Sequence, residues 1–490
     1  MKVVNVNIQD VLILFKQKNY VEAKRVFLEI IKNQQVEPRI YYIIYQIFQN
    51  LNELHEAEKY LIKFIEHDKK NHVACNNLAN LYLKKKELKK AELSYLKAID
   101  LKKDYLTAIV NIALYYEGIG NIAYAKEYYS KGIKISPKNL SIYFNLSKID
   151  KKFISEEKIE FIEEVLKNHK LDELNTACGY FLLAKNEERK KRYDKEIDYL
   201  IIAHKHAFNN RKDFNALSTN YWLNFIPKNY NKFKYVSKNK YEKKMVNLNP
   251  IFIIGLPRSG STIVESMISS GTEKVLNLGE TNLVNWSLIN THQETLFNKK
   301  NNDLLIETSI FEKRLFSSLK NFNNFNSETK TFTEKSLENF FYIDLILKIF
   351  PNAKFIHTHR NTEDNIVAIF KSFLTNVSWT HSLEDIFIYV NHYLTIIDSY
   401  ERKYPQKILS VPLEELTEKG EIISKKIYKF CSLEWSYKVL EFYKRKDLFS
   451  NTASNVQIRD KLQKYDYEKY KPYKVFLKKF SDKYKKINDA

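Results

Sequence analysis

The chain of 490 residues is long enough for two or three domains, and its low content of Gly and Pro, nine of each, favours a helix-rich protein. A formal net charge of +21 attracts polyanions, but Lys is interleaved with Glu and Asp along most of the sequence. Because no zinc-finger spacing or single-stranded RNA signature accompanies this charge, we interpret most of it as a solvated surface and expect no nucleic-acid partner.

The cysteines and the apolar runs indicate a compartment. Cys75, Cys178 and Cys431 are far apart in the sequence, which excludes a paired zinc or dithiol spacing and favours a reducing environment. Residues 1–7 lack the apolar core and cleavage site of a signal peptide, and no apolar run approaches the length of a membrane span. We therefore expect a soluble, cytoplasmic protein.

An internal period of 34 residues runs through residues 1–150, where alanine recurs at Ala23, Ala57, Ala91 and Ala125. Large residues keep the same register on either side of these alanines, and they are Phe27, Leu61, Tyr95, Tyr129, Leu14, Phe48, Tyr82 and Tyr116. Small residues let two helices approach while large ones fill the groove beside them, and this period is that of tetratricopeptide repeats. We predict four stacked helix pairs and interpret the aromatic columns as core.

Residues 151–245 are predicted to form divergent, capping helices and a linker. One apolar stripe includes Ile159, Ile162 and Val165, and another includes Ile197 and Leu200, at helical spacing. The sequence after residue 208 is polar and weakly periodic, which is typical of a connection. We place the start of the last domain, residues 246–490, after this connection.

The last domain opens with the apolar run Ile251–Ile254, which indicates a buried strand, and a helix is predicted from Thr262. The turn between them offers a helix N-terminus to an oxyanion. Its spacing nearly satisfies the nucleotide-phosphate loop pattern, but Ser261 stands where that pattern has Lys, and the cation is Arg258. A triphosphate site needs that lysine, so ATP hydrolysis and ordinary kinase chemistry are disfavoured. A turn that binds no ligand is the alternative.

A second strand is predicted at Ala353–His359, with a helix starting near Thr362. Strands that alternate with helices indicate a parallel α/β sheet, in which function is expected at the carboxyl ends of the strands. His357 and His359 face the same side of this strand, but two ligands without a third are insufficient for a metal site. We therefore predict no metal.

The segment Pro257–Thr262 resembles the phosphosulfate-binding loop of sulfotransferases, particularly the bacterial tetratricopeptide-containing group and their relatives, the tyrosylprotein sulfotransferases. The resemblance implies an N-terminal α-helical tetratricopeptide solenoid followed by a P-loop-like, three-layer α/β sulfotransferase domain with a parallel sheet. It also implies that the bound anion is the 5′-phosphosulfate of the co-substrate 3′-phosphoadenosine 5′-phosphosulfate (PAPS), held by Arg258, Ser259, Gly260, Ser261 and Thr262.

Two further residues resemble catalytic residues of this family. Glu280, which follows a glycine, resembles the general base, and the alternative is a helix-capping or solvated glutamate. Lys335 resembles the lysine that stabilises the leaving-group oxygen, a task that Arg258 would share. The alternative for Lys335 is a surface ion pair with Glu334 or Glu338.

Arg360 follows the second predicted strand and resembles the arginine that grips the 3′-phosphate, for which its planar fork is suited. Arg459 resembles a second phosphate ligand in the loop that covers the nucleotide. The chain departs from the family where Ala368 replaces a serine, and Ser372 or Lys371 would have to supply that contact. The Gln-Pro that follows Arg459 in the family is also absent, so a short lid is expected.

Together these features predict an enzyme, a PAPS-dependent sulfotransferase acting on a hydroxyl acceptor such as a protein tyrosine, a saccharide or a metabolite. Helical repeats often bind peptides, so a protein or peptide is included among the expected partners. Two alternatives stay open. One is another phosphate-loop enzyme, such as a nucleotide-dependent kinase, and the other is a repeat scaffold whose transferase domain has decayed, which Ala368 and the short lid suggest.

Overall fold

The computed structural model describes residues 7–33, 35–236, 245, 247–296, 305–322, 324–445, 449–450, 452, 455, 457–478 and 480. The chain divides into two compact units. The first consists of Met1–Tyr115 with Lys313–Asn326, and the second of Tyr116–Glu312 with Ser327–Ala490. The predicted boundaries at residues 150 and 245 divide the chain by sequence pattern instead, and they stay a prediction.

Helices that pack in sequential pairs build the first unit. They are α1 (Ile8–Lys16), α2 (Tyr20–Asn33), α3 (Pro38–Asn50), α4 (Leu54–His67), α5 (His72–Lys84), α6 (Leu88–Leu101) and the first part of α7 (Leu106–Ile119). Local sequence explains several starts: Asn7 and Asp10 form a reciprocal capping box on α1, and Pro38 opens α3, where a backbone N–H is not needed.

The residues of the 34-residue period lie in the core. Ala23, Ala57 and Ala91 are fully buried on the second helices of the pairs in the first unit, and Ala125 is fully buried in the second unit. The large residues of both columns are buried, apart from Leu14, which is partly buried against the core of the first unit. An alanine lets the paired helices approach closely, and the large side chains fill the space beside it. The interpretation of these columns as core is confirmed.

A segment from the later part of the chain, Lys313–Asn326, completes the first unit. The buried Asn321 accepts a hydrogen bond at Oδ1 from the backbone N–H of Leu54 (3.1 Å) and donates through Nδ2 to the carbonyl of Asn52 (2.7 Å). Leu54 begins α4, and the residue before it, Glu53, makes no side-chain cap. Asn321 is therefore a helix cap supplied by a distant part of the chain.

The second unit begins with more helices. They are α8 (Ile122–Ile135), α9 (Leu140–Ile149), α10 (Glu156–Asn168), α11 (Glu173–Arg189), α12 (Tyr193–Asn209) and α13 (Lys212–Asn220), followed by a π-helix (Tyr221–Phe225) and α14 (Ile226–Asn229). Helices α11 and α12 pack along each other, and α11 also packs on α9.

The strands of the second unit are β1 (Lys234–Val236), β2 (Ile251–Gly255), β3 (Val275–Asn277), β4 (Leu305–Glu307), β5 (Thr331–Glu334), β6 (Lys354–His359) and β7 (Ile408–Pro412). Strands β1 and β4 pair with each other. The other five form a parallel sheet in the order β3-β5-β2-β6-β7. Because β2 is central, the turn that follows it lies between the ends of β5 and β6.

Helices connect these strands, as parallel pairing requires. They are α15 (Ser261–Gly271), α16 (Leu283–Leu296), α17 (Thr308–Leu319), α18 (Ile343–Ile349), α19 (Thr362–Phe370) and α20 (Leu383–Lys403). Two more helices follow the last strand, α21 (Leu413–Glu418) and α22 (Gly420–Cys431). Short 3₁₀ turns occur at Leu337–Tyr342, Ser378–His381, Tyr437–Lys444, Gln457–Arg459 and Lys471–Tyr473. The predicted strands β2 and β6 and the helices after them are confirmed, as is the fold class of helical repeats followed by a parallel α/β sheet.

Candidate active site

The turn between β2 and α15 is held tightly against β6. Gly255 has φ +145°, and a Cβ at this position would lie 2.2 Å from the backbone oxygen of Thr358. Gly260 has φ +94°, and a Cβ there would lie 2.7 Å from Leu413 Cδ1. Between the two glycines, Arg258 also adopts a left-handed conformation, with φ 69°. The backbone therefore follows a path that glycine permits and larger residues oppose at both ends.

The hydroxyl side chains of the turn have different tasks. Ser259 is buried, donates to the carbonyl of Leu256 (2.7 Å) and lies 2.9 Å from the hydroxyl of Thr358, so it shapes the turn. Ser261 and Thr262 are the first residues of α15, after a cap at Gly260 that makes no side-chain hydrogen bond. The first N–H groups of a helix lack intrahelical acceptors, so these residues present donors to an anion.

Arg258 and Arg360 meet at the ends of β2 and β6. Arg360 Nη1 donates to the backbone carbonyl of Arg258 at 3.4 Å. Burial lowers the pKa of the Arg258 guanidinium, Tyr470 opposes this, and the nearby Arg360 cation lowers the pKa further. Two cations that repel each other across a small space are stabilised by an anion placed between them.

The C-terminal segment covers Arg360. The guanidinium lies 4.9 Å from the ring centroids of both Tyr465 and Tyr470. Its Nε and Nη2 atoms donate to the Tyr465 hydroxyl, at 3.2 and 2.8 Å, and this hydroxyl donates to Asp364 Oδ2 at 2.6 Å. Sequence reasoning missed both tyrosines and Asp364, because the tail is rich in Tyr and Lys and no spacing distinguishes these positions.

Glu280 and Lys335 meet on the other side of the turn. Lys335 Nζ donates to Glu280 Oε1 at 2.5 Å, and the lysine side chain is 1% exposed while the carboxylate is 46% exposed. Burial by itself would lower the pKa of Lys335. The negative charges of Glu280, Glu265 and Glu334 outweigh this effect, so the pKa of Lys335 is raised. Lys335 is therefore a buried cation paired with Glu280, and the alternative of a surface ion pair with Glu334 or Glu338 is wrong.

The loop that carries Glu280 is joined to the end of β5. The backbone N–H of Lys335 donates to the carbonyl of Gly279 (2.9 Å), and the Thr281 hydroxyl donates to Glu334 (3.1 Å). Glu334 is fully buried and also accepts hydrogen bonds from the side chains of Ser336 and Asn339. Burial raises the pKa of Glu334, and these hydrogen bonds offset part of that rise. The loop thereby places Glu280 opposite Lys335.

A third carboxyl group, Glu338, lies close to this pair. Burial, together with the carboxylates of Glu334 and Glu280, raises the pKa of Glu338 to about 7, and Lys335 opposes this rise. Glu338 therefore titrates near neutrality beside the two predicted catalytic residues. Sequence reasoning considered it only as an ion-pair partner of Lys335.

Arg459 is engaged by backbone carbonyls. Its Nη1 donates to the carbonyl of Arg445 and its Nη2 to that of Gly118, both at 2.6 Å. A Cβ on Gly120 would lie 2.9 Å from Arg459 Nε, so the guanidinium packs closely on the turn after α7. To reach a phosphate, Arg459 would have to exchange one of these carbonyls. Residues 453, 454 and 456 of the predicted covering loop lie outside the described residues.

The side chains near the missing serine are occupied. Ala368 is buried on α19, and the Ser372 hydroxyl donates to the Ala368 carbonyl (2.7 Å). Lys371 is paired with Glu188 (2.7 Å) and Glu196 (2.8 Å). Neither replacement considered from the sequence is therefore directed to Arg360.

The two histidines of β6 have protein partners. His357 Nδ1 lies 2.7 Å from Glu401 Oε1, and its Nε2 contacts the Tyr393 hydroxyl. His359 Nε2 lies 2.8 Å from the Ser410 hydroxyl. Within the part of the chain that the structure describes, no three His, Cys, Asp or Glu side chains are grouped so that they could hold a metal ion. None of the helices in this same part has the length and apolar character to cross a membrane.

Comparison with known proteins identifies both parts of the chain. Residues 250–437 match the model of the sulfotransferase family, and residues 72–105 and 106–139 match the tetratricopeptide repeat model. An uncharacterised protein of Aquifex aeolicus is 27% identical over 387 residues, which cover 73% of this chain and 47% of the relative. The chain therefore spans about half the length of the curated relative that it matches.

Solved structures with similarity to the chain come from both groups. The C-terminal part of a tetratricopeptide repeat protein of Cytophaga hutchinsonii is 18% identical, with 46% of this chain and 88% of that chain covered and a TM-score of 0.34. The sulfotransferase domain of the Synechococcus olefin synthase is 18% identical, with 48% and 92% covered and a TM-score of 0.32. A sulfotransferase of Mycobacterium tuberculosis is 13% identical, with 66% and 99% covered and a TM-score of 0.30.

The family matches carry the assignment. They confirm the resemblance found in the repeat columns and in the turn after β2, while the relation to tyrosylprotein sulfotransferases stays a prediction. The chain thus combines two stretches that match the tetratricopeptide repeat, residues 72–105 and 106–139, with one that matches the sulfotransferase family, residues 250–437.

Proposed function

We propose that this protein is an enzyme that moves a sulfuryl group from PAPS to a hydroxyl acceptor. The observation that carries the proposal is the meeting of Arg258 and Arg360 at the ends of neighbouring strands, beside a turn that ends in a helix N-terminus. A nucleotide with anionic groups at both its 5′ and 3′ positions has the charges that such a site stabilises.

In this proposal the turn holds the 5′-phosphosulfate. The N–H groups at Gly260, Ser261 and Thr262 donate to its oxygens, and Arg258 neutralises part of its charge. Ser259 contributes by shaping the turn through its hydrogen bond to Leu256. Arg360 binds the 3′-phosphate, since its guanidinium has no carboxylate partner among the described residues.

The transfer itself requires a base and a cation. The acceptor oxygen attacks sulfur and its proton passes to Glu280, while the bond between sulfur and the bridging oxygen breaks. The electron pair stays on that oxygen, and 3′-phosphoadenosine 5′-phosphate (PAP) leaves. Lys335 and Arg258 stabilise the charge that develops on the leaving oxygen.

The ion pair between Glu280 and Lys335 prepares both groups for these tasks. The neighbouring carboxylates keep Lys335 charged although it is buried. Glu280 is half-exposed, so an acceptor hydroxyl can approach it from the solvent side. A saccharide, a metabolite or a protein tyrosine all carry a suitable hydroxyl, and the repeats add a surface of the kind that binds peptides.

Nucleotide binding tests the proposal. In titration calorimetry we expect PAP to bind more tightly than adenosine 5′-phosphate, and the Arg360→Ala variant to lose about 1.5–3 kcal/mol of the PAP binding free energy. Preference for magnesium-ATP over PAP would select the kinase alternative. Failure to bind either nucleotide, with no PAP released from PAPS under any acceptor, would select the repeat scaffold with a decayed transferase domain.

A further inference from the structure

Arg360 carries a charge that the described part of the chain leaves uncompensated. Its three hydrogen bonds go to neutral oxygens, two to the Tyr465 hydroxyl and one to the Arg258 carbonyl. Both flanking groups at 4.9 Å are tyrosine rings, Tyr465 and Tyr470. A partly buried arginine in this condition favours an incoming anion.

A carboxylate is nevertheless close. Asp364 lies one helical turn after Arg360, at the start of α19, and it is 7% exposed. Its Oδ2 accepts a hydrogen bond from the Tyr465 hydroxyl at 2.6 Å, and no ion pair joins Asp364 to Arg360 within the described residues. The Tyr465 hydroxyl therefore stands between the two opposite charges, accepting from one and donating to the other.

Only a residue that is both donor and acceptor can occupy this position. A phenylalanine would leave the buried Asp364 carboxylate without this partner, which is costly, and Arg360, which binds the same hydroxyl, is a cation that could replace it. Burial, together with the hydrogen bond to Asp364, raises the pKa of Tyr465, so the hydroxyl stays protonated and keeps its proton for the carboxylate.

The backbone of Tyr465 is itself held in place. Its N–H donates to the Thr417 hydroxyl at 3.2 Å. Further along the segment, Tyr470 is buried, with its ring centroid 4.9 Å from the Arg360 guanidinium. These contacts keep the hydroxyl between Asp364 and Arg360 without help from a ligand.

We propose that Tyr465 is a positioning residue that insulates Arg360 from Asp364 and so keeps the arginine available for the 3′-phosphate of the nucleotide. This inference rests on the proposed function. The 3′-phosphate site then depends on the Tyr465 hydroxyl of the C-terminal segment and not on a side chain of α19. It assigns to Asp364 the role of a competitor for Arg360.

The test compares PAP with adenosine 5′-phosphate, which differs from it by the 3′-phosphate alone, in titration calorimetry of the full chain. In Tyr465→Phe we expect PAP affinity to fall by about 10- to 100-fold, because Arg360 turns to the carboxylate, with little change for adenosine 5′-phosphate. Adding Asp364→Asn to this variant removes the competitor and is expected to restore most of the PAP affinity.

Tyr467→Phe is the matched control. Tyr467 lies on the same segment and also donates to a carboxylate, Glu418, at 2.9 Å, but it is half-exposed and does not contact Arg360. Its PAP affinity should equal that of the wild type. Asp364→Asn alone is the second variant, and it should bind PAP as tightly as the wild type or several-fold more tightly, because a negative charge near the phosphate is lost.

Three results would overturn the inference while leaving the proposed function standing. They are an unchanged or higher PAP affinity in Tyr465→Phe, an equal loss for both nucleotides, and a loss of PAP affinity in Asp364→Asn alone. If wild-type protein does not distinguish the two nucleotides, the proposed function fails and the inference fails with it. Melting temperatures of all variants establish that each is folded.

Discussion

Lys335 Nζ and Glu280 Oε1 are 2.5 Å apart, yet the lysine is shielded from solvent while the carboxylate is partly exposed to solvent. A buried ammonium needs a compensating charge, and Glu280 supplies it from the exposed side. The pair thus holds a cation inside the site and leaves a carboxylate where an acceptor can approach. It also joins the loop after β3 to the end of β5, which the sequence separates by some fifty residues.

Replacing Glu280 by Ala is expected to lower turnover by about 10²- to 10⁴-fold, because the acceptor loses its general base. The measurement is PAP release from labelled PAPS with a mixture of phenol, sugar and peptide acceptors. Glu280→Gln should lower turnover by a similar factor, since glutamine keeps the shape of the glutamate side chain but not its basicity. The exposed Glu273→Ala is the control and should turn over as the wild type does. Unchanged turnover in both Glu280 variants would remove this residue from the mechanism.

Arg459→Met should lower the melting temperature and leave PAP affinity close to the wild-type value. The reason is that two backbone carbonyls, of Arg445 and Gly118, lose their charged donor. Differential scanning calorimetry and nucleotide titration separate the two effects. A selective loss of PAP affinity, with adenosine 5′-phosphate unaffected, would support the role of phosphate ligand predicted from the sequence.

Gly255→Ala should destabilise the turn after β2 by about 2 kcal/mol or more, because its Cβ would collide with the Thr358 backbone oxygen at a positive φ. PAP binding should be lost with it. Gly420→Ala is the control, since its Cβ would meet only the end of the Leu462 side chain at the start of a helix. A Gly255→Ala protein with wild-type melting and PAP affinity would contradict the close approach of β2 to β6.

Two buried histidines predict acid sensitivity. His204 Nε2 donates to the carbonyl of Phe370 (2.7 Å), so its Nδ1 accepts from His381 Nδ1 (3.2 Å). Burial lowers the pKa of His204 to about 3 and that of His381 to about 4. Both are neutral in the folded protein. The unfolded chain takes up protons first as the pH falls below 6.5, so stability is present above that pH and is lost between 6.5 and about 4.

His381→Phe removes one of these titrating groups. As the pH falls from 7 to 4.5, we expect the free energy of unfolding of this variant to fall by on the order of 2–3 kcal/mol less than that of the wild type. Melting temperatures at the two pH values check this. The exposed His169→Phe serves as the control and should follow the wild type. A His381→Phe protein that loses as much stability in acid as the wild type would contradict the assignment.

Asn321→Ala should weaken the start of α4, because the Leu54 N–H loses its acceptor and the Asn52 carbonyl its donor. A lost cap of this kind costs about 1–2 kcal/mol. Hydrogen exchange of the first α4 amides measures it locally. Asn50→Ala is the control, since Asn50 is exposed and donates only within its own helix, to Gln46. Unaltered exchange in α4 would show that Asn321 does not cap this helix.

Much of the fold could be predicted from local patterns. The alanine column predicted where paired helices meet, since only a small side chain permits that contact, and the buried alanines confirm it. The apolar run before Gly255 and the glycine-bracketed turn predicted a strand, a tight turn and a helix, and all three are present. These features depend on residues that are close together in the sequence, so they can be predicted from the sequence alone.

The surroundings of the site could not be predicted in the same way. A lysine among acidic neighbours was equally compatible with the surface, and only the packing of the sheet decides that Lys335 is buried. Nothing in a tail of Tyr and Lys marks Tyr465 as the residue that meets Arg360. The contacts of Arg459 with Gly118 and of Asn321 with α4 join positions hundreds of residues apart.

The sequence by itself determined the repeats, the strands β2 and β6 with the helices that follow them, and the chemical character of the turn after β2, because each follows from periodicity and residue type over short stretches. The tertiary structure alone decided which charges are neighbours: Lys335 with Glu280, Arg258 with Arg360, and Tyr465 between Arg360 and Asp364. Electrostatic interactions depend on distance and burial, and both are set by how segments remote in the sequence pack together.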